Sequence, residues 1–155
     1  MLDMLKYTDY DIVFQEIPDE TTLAVNLSLC PNRCPGCHSP QLWEDIGEVL
    51  DEAALDALLE RYGSAITCVS FMGGDNDTEE VDRLAQCVKS KGYKAAWYSG
   101  RRQLPQNFLP EHFDYVKVGP YIESLGGLDH ATTNQRLYRI ENNQLVDITE
   151  RMHKK

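Results

Sequence analysis

No stretch of the sequence approaches the ~20 consecutive apolar residues of a membrane-spanning helix. The N-terminal run MLDMLKYTDYDIVFQEI has no basic opening, no long apolar core and no small-residue cleavage site, so neither a leader nor an anchor is expected. Positive charge is also scarce. The 15 Lys and Arg against 25 Asp and Glu give a formal net charge of −10, which opposes general affinity for nucleic acid or anionic membrane. The one basic cluster, Arg151-Met152-His153-Lys154-Lys155, reads as a solvated end. Internal repeats, low-complexity segments and linkers are absent, and 155 residues fit one domain, 1–155, with a sizeable core. A cytoplasmic location is expected, where thiols stay reduced. That weakens a disulfide reading of the five cysteines and strengthens a metal reading.

What the chain does have is CPNRCPGC at residues 30–37, with Cys30, Cys34 and Cys37 in a C-x3-C-x2-C array. No fourth cysteine is near enough in sequence to complete a local set. Thiolates suit iron–sulfur clusters, zinc or copper(I). Structural zinc is normally closed by four ligands, and His38, adjacent to Cys37, is poorly placed to chelate with it. A cubane cluster on three cysteines instead leaves one iron open to a small molecule. The spacing favours the cluster, with a non-catalytic zinc module as the alternative. Cys68 and Cys87 read as core or half-buried residues.

Taken in order, Tyr10–Ile17 reads as a strand, Pro18-Asp19-Glu20 as a turn and Thr22–Leu29 as a second strand. The loop after it carries Pro31, Pro35, Gly36 and Pro40, which no regular element tolerates. Asp51 caps a helix with Leu55, Leu58, Leu59 and Tyr62 on one stripe, ended by Gly63. Ala65–Met72 reads as a buried strand running into Gly73-Gly74-Asp75. Asp77 and Glu80 have capping-box spacing before a helix with the stripe Val81, Leu84, Ala85, Val88, stopped at Gly92. Tyr93–Tyr98 and Phe113–Val118 are further strands, ending at Ser99-Gly100 and Gly119-Pro120. Leu137–Ile140 and Leu145–Ile148 form a hairpin about Asn142-Asn143. Alternating strands and helices predict an α/β fold with a parallel sheet. Its few parallel strands make an open, partial (β/α) barrel the expectation, flanked by N- and C-terminal hairpin strands. The cysteine loop and the glycine-bearing loops all follow carboxyl ends of strands, the edge where such folds bind ligands.

The cysteine array after a core strand, followed by a Gly-Gly-acid motif after the next, resembles the radical S-adenosylmethionine superfamily. WYSG at 97–100 and VGPYIESLGGLDHATTNQRLYRI at 118–140 are similar to motifs of the activating proteins of anaerobic ribonucleoside-triphosphate reductase. The resemblance covers about Asp11 to Ile148. It implies a partial barrel of the radical SAM type and a [4Fe–4S] cluster on Cys30, Cys34 and Cys37, with S-adenosylmethionine chelating the fourth iron. It further implies that Gly73, Gly74 and Asp75 receive the methionyl amino group. Gly36, Cys37 and His38 would meet the adenine or ribose side through backbone groups, and Ser99 and Val118 would line the nucleoside pocket. The implied activity is reductive cleavage of S-adenosylmethionine and formation of a glycyl radical on the reductase. The cofactor carries that chemistry, so no side-chain acid or base is called for. A flavodoxin- or ferredoxin-type protein would supply the electron. The compact length fits a partner's glycine loop as substrate, with Trp43 and Tyr121 as candidate contacts. Gly36 stands where the superfamily often has an aromatic residue, and Asp75 where it often has glutamate. An activase of another glycyl radical protein and a synthase of the deazaguanine pathway are the nearest alternatives. Asn134, Gln135 and Arg136 either position the last hairpin or touch the incoming loop.

Overall fold

The structure is a computed structural model and describes residues 5–14, 16–27 and 47–153. One mixed sheet of eight strands carries the fold: β1 (Leu5–Val13), β2 (Thr22–Leu27), β3 (Glu48–Leu50), β4 (Cys68–Met72), β5 (Lys94–Tyr98), β6 (Tyr115–Val118), β7 (Arg136–Glu141) and β8 (Gln144–Asp147). Their order is β3-β1-β2-β4-β5-β6-β7-β8. The four central strands β2, β4, β5 and β6 run parallel. The outer pairs β1–β2, β1–β3, β6–β7 and β7–β8 are antiparallel. With β3 and β8 at its two ends, the sheet is open among the described residues.

Two helices, α1 (Glu52–Tyr62) and α2 (Thr78–Ser90), lie against one face. Both begin at the expected caps. The Asp51 carboxylate accepts from Ala54 N at 2.8 Å, and that of Asp77 accepts from Glu80 N at 3.3 Å, each satisfying an orphan first-turn donor. The reciprocal half of the α2 capping box does not form, because Glu80 turns to Arg83. Leu55, Leu58 and Leu59 of α1 and Val81, Leu84, Ala85 and Val88 of α2 meet Leu23, Val25, Val69, Phe71, Ala95, Trp97 and Val116 in the main core. Period-2 alternation sends the intervening residues Cys68, Ala96 and Tyr115 to the opposite face. There they pack with Ile17, Leu128, Leu137 and Ile148 in a second cluster. No described helix is long and apolar enough to cross a membrane.

Three local expectations change. The first strand starts at Leu5 and stops at Val13 rather than covering Tyr10–Ile17. Residues 63–65 form a 3-10 turn, so the buried strand opens at Cys68 rather than Ala65. Strand β3 was not anticipated; it is held by pairing Leu5 with Leu50. The last hairpin forms as expected, with Asn142 and Asn143 at φ +51° and +63°, the double left-handed turn that Asn tolerates well.

At the amino ends of the parallel strands, Glu20 is buried and accepts from Lys94 Nζ at 2.7 Å, Thr67 Oγ1 at 2.8 Å and Tyr115 Oη at 2.9 Å. Burial pushes its carboxyl up, but the hydrogen bonds from Lys94, Thr67 and Tyr115 outweigh this and hold it below the ordinary glutamate range. A depressed folded value means that the ionised group stabilises the fold above its unfolded pKa of about 4.5, and that this contribution is lost as pH falls through the folded value. Chemical denaturation as a function of pH is expected to show stability dropping below about pH 5. In Glu20→Gln that slope should flatten, with about 1–3 kcal/mol lost at neutral pH. An unchanged acid limb would remove Glu20 from this role.

Candidate functional site

The carboxyl ends of β2, β4, β5 and β6 lie along one edge, as the parallel registers Asn26↔Met72, Met72↔Tyr98 and Tyr98↔Lys117 require. Three of the four expected ligand loops are described there. They are tied to one another rather than merely adjacent. Gly73 N donates to Tyr98 O at 2.9 Å, Ser99 N to Lys117 O at 2.9 Å and Gly119 N to Arg101 O at 2.7 Å.

Asp75 is the hub of these ties. Its carboxylate is buried and accepts from Ser99 Oγ at 2.6 Å and from Gly100 N at 2.9 Å. Ser99 Oγ in turn accepts from Arg101 N at 3.1 Å, and the Arg101 guanidinium donates to Asp75 O at 3.3 Å. Two loops separated by 24 residues are thus clamped by one charge-assisted pair, the stronger class of hydrogen bond. Asp75 therefore has a structural duty in addition to any contact with a ligand's ammonium group.

The paired glycines have different duties. Gly73 sits at φ +109° with Leu27 O 3.5 Å from where a Cβ would stand, an ordinary contact. Gly74, at φ +87°, would place a Cβ 2.6 Å from Val81 Cγ2 and 3.0 Å from Leu27 Cδ1. Its bare Cα faces the core, letting α2 close on β2. Gly73 borders Leu27, the last described residue before the cysteine run.

Val118 closes β6 and is buried. Beyond it Gly119, at φ +109°, would drive a Cβ to 3.0 Å from Gln135 Cα. Asn134 Nδ2 donates to Pro120 O at 3.1 Å and Gln135 Nε2 to Gly119 O at 3.4 Å. Arg136 reaches Asp147 of the final hairpin at 3.5 Å. These contacts favour the positioning role for Asn134, Gln135 and Arg136. Tyr121 is half-buried.

Two residues at this edge were missed from the sequence. Lys117 is buried, donates to Gly119 O at 3.2 Å and lies 5.6 Å from the centroid of the Tyr98 ring. The signal was a lysine between Val116 and Val118 of a buried strand, since buried lysines are rare without partners. Trp97 donates its indole N–H to Gly73 O at 2.7 Å, tying the glycine loop to the helix-side core.

Cys30, Cys34, Gly36, Cys37, His38 and Trp43 lie outside the described residues. Among the described residues, no group of three or more His, Cys, Asp or Glu side chains is placed to hold a metal ion. Cys68 is fully buried. Burial, with Glu20 nearby, pushes its thiol up to about 12. It also stands at the amino end of β4, four residues and about 13 Å of strand from Met72. Cys87, on α2, is likewise pushed up by burial. Neither has the thiolate character of a ligand.

Residues 21–123 match the family model of the 4Fe-4S single cluster domain. The chain belongs to that family. No curated protein and no solved structure matches. The matched span of this 4Fe-4S single cluster domain takes in the cysteine array and all of the loop residues Gly73, Gly74, Asp75, Ser99 and Val118. The cysteine array therefore belongs to an iron–sulfur protein rather than to a zinc module.

Proposed function

We propose that this iron–sulfur protein is a radical S-adenosylmethionine activase that generates a glycyl radical on an anaerobic ribonucleoside-triphosphate reductase, built on the partial-barrel version of its α/β sheet. One observation carries the reading. A family with a single 4Fe–4S cluster is paired here with only three clustered cysteines, in a chain whose Gly-Gly-Asp and Ser-Gly loops line the same strand edge. Such a cluster keeps one iron for an exogenous ligand, and glycine loops suit the close approach of a small molecule.

The residues fit the group. Cys30, Cys34 and Cys37 would hold three irons, and Gly73, Gly74 and Asp75 would present backbone and a carboxylate to the methionyl ammonium. Gly36, Cys37 and His38 would meet the nucleoside, with Ser99 and Val118 beside it. When bound, the cluster and S-adenosylmethionine supply one-electron reductive cleavage of the sulfonium, and with it hydrogen-atom abstraction from a glycine Cα. The rest is the work of the chain. The Asp75–Ser99–Gly100 clamp sets the separation of two loops before any ligand arrives, which lowers the ordering cost of binding. Ile17, Leu128 and Ile148 cover the face opposite the helices and keep water from the lower part of the sheet. Lys117, buried at the end of β6, donates to Gly119 O and so helps to fix the loop that follows Val118.

The test is anaerobic incubation of the reduced, cluster-loaded protein with S-adenosylmethionine and the reductase. A glycyl radical doublet in the EPR spectrum is expected. Release of 5′-deoxyadenosine with no doublet would overturn the choice of partner in favour of another glycyl radical protein. No cleavage at all would overturn the activase reading.

A further inference from the structure

A recess lies on the helix side of the sheet, lined by none of the residues Gly73, Gly74, Asp75, Ser99 and Gly119. It measures about 240 Å³ and is bordered by the start of α2, by Trp97 and by the segment leading into β6. Its floor is aromatic. Trp97, Phe108 and Phe113 stack with centroids 5.2–6.3 Å apart and planes within 28° of parallel. Trp97 and Phe113 are almost fully buried, whereas Leu109 on the lip is 43% exposed. Two carboxylates, Glu79 and Asp82, also line the recess. Asp82 is engaged by His112 Nδ1 at 2.9 Å and Gln86 Nε2 at 2.8 Å, while Glu79 is exposed and makes no hydrogen bond or ion pair among the described residues. The neighbouring cations are committed elsewhere: Arg83 to Glu80 and Lys89 to Asp114.

The dimensions argue against a cofactor, since small-molecule sites run to about 300–1,000 Å³. An apolar floor with an anionic lip instead matches one long side chain that has an aliphatic stem and a cationic head. Arginine meets both demands, because its planar guanidinium stacks on aromatic rings and forks onto a carboxylate. We infer that this recess is the anchor pocket for an arginine side chain presented by the protein substrate, with Glu79 as the charge that selects it. The identity of that partner rests on the activase reading. Position favours it: the recess opens beside the carboxyl end of β5, and Trp97 reaches from its floor to Gly73 O. An arginine seated there would register the partner against the edge where the ligand loops lie.

The cluster-loaded protein should be titrated with N-acetyl-arginine amide and, separately, with its neutral isostere N-acetyl-citrulline amide, following the Trp97 indole N–H signal by NMR. A saturable shift with the arginine compound alone, lost in Glu79→Gln, is expected. Equal response to both compounds, or to neither, would overturn the pocket. In parallel, Glu79→Lys should weaken binding of the reductase by about 5- to 10-fold at low salt, and Glu79→Gln by less. Unchanged affinity in both variants would overturn the docking role while leaving the activase reading intact. Failure of the wild-type protein to bind reductase would overturn the activase reading, and with it the partner named here.

Discussion

Cys34→Ser, reconstituted anaerobically with iron and sulfide, is expected to lose the [4Fe–4S] state completely. Serine offers a hard oxygen that is protonated at neutral pH, where the cluster needs a soft thiolate. A site with four protein ligands can survive on three, but one that begins with three would be left with two. No substitute is at hand in the described residues. Cys68 is sealed in the second cluster at the far end of β4, and Cys87 belongs to a helix that packs outside the sheet. Cys68→Ala and Cys87→Ala therefore serve as controls. Both should keep full cluster absorbance, with Cys68→Ala costing only packing. An intact, active cluster in Cys34→Ser would refute the ligand assignment, and loss of the cluster in Cys68→Ala would show that a fourth protein ligand had been overlooked.

Gly74→Ala is expected to cost about 2–6 kcal/mol of folding stability. Two effects add. A residue with a Cβ pays roughly 1–3 kcal/mol to hold a left-handed φ of +87°. The new methyl also meets Val81 Cγ2 at 2.6 Å, and overpacking a closed core typically costs about 1–3 kcal/mol. Gly73→Ala carries the first cost without the second, since its nearest atom stands at 3.5 Å. It should lose about 1–3 kcal/mol. Against a total stability of about 5–15 kcal/mol, the first substitution removes a large share and the second a tolerable one. Urea denaturation of the two variants measures the difference. Equal losses would mean that Gly74 serves the ligand edge rather than the seam between α2 and β2.

The parallel centre of the sheet was legible because its signals are local. Helical stripes such as Val81-Leu84-Ala85-Val88 and the caps Asp51 and Asp77 are set by neighbours within a few residues. Strand-ending glycines likewise marked the carboxyl ends of the parallel strands. The flanks were harder. Strand β1 interleaves Lys6, Thr8, Asp9 and Asp11 with its apolar residues, and most of its positions are only half-buried, so no clean alternation marks its start. Strand β3 has three residues, two of them exposed, and exists because Leu5 and Leu50 meet across it.

In the site, residue types were readable but partners were not. Asp75 looked like a carboxylate offered to a ligand. Its bond to Ser99 depends on β4 and β5 lying side by side, which no run of residues near Asp75 encodes. The same applies to Gly74, where glycine is required by Val81 and Leu27 of two other elements. Lys117 was hidden because a single lysine in a strand is ordinarily solvated; its contacts are with Gly119 O and with the Tyr98 ring of the neighbouring strand.

The central claim is that three cysteines leave one iron of the cluster for S-adenosylmethionine. The most direct measurement is the EPR spectrum of the reduced, reconstituted protein before and after S-adenosylmethionine is added, with no reductase present. A ligand binding at the open iron should change the g-values and line shape of the cluster signal, and Asp75→Ala should weaken that response. A reduced cluster whose spectrum stays the same at saturating S-adenosylmethionine would contradict the account.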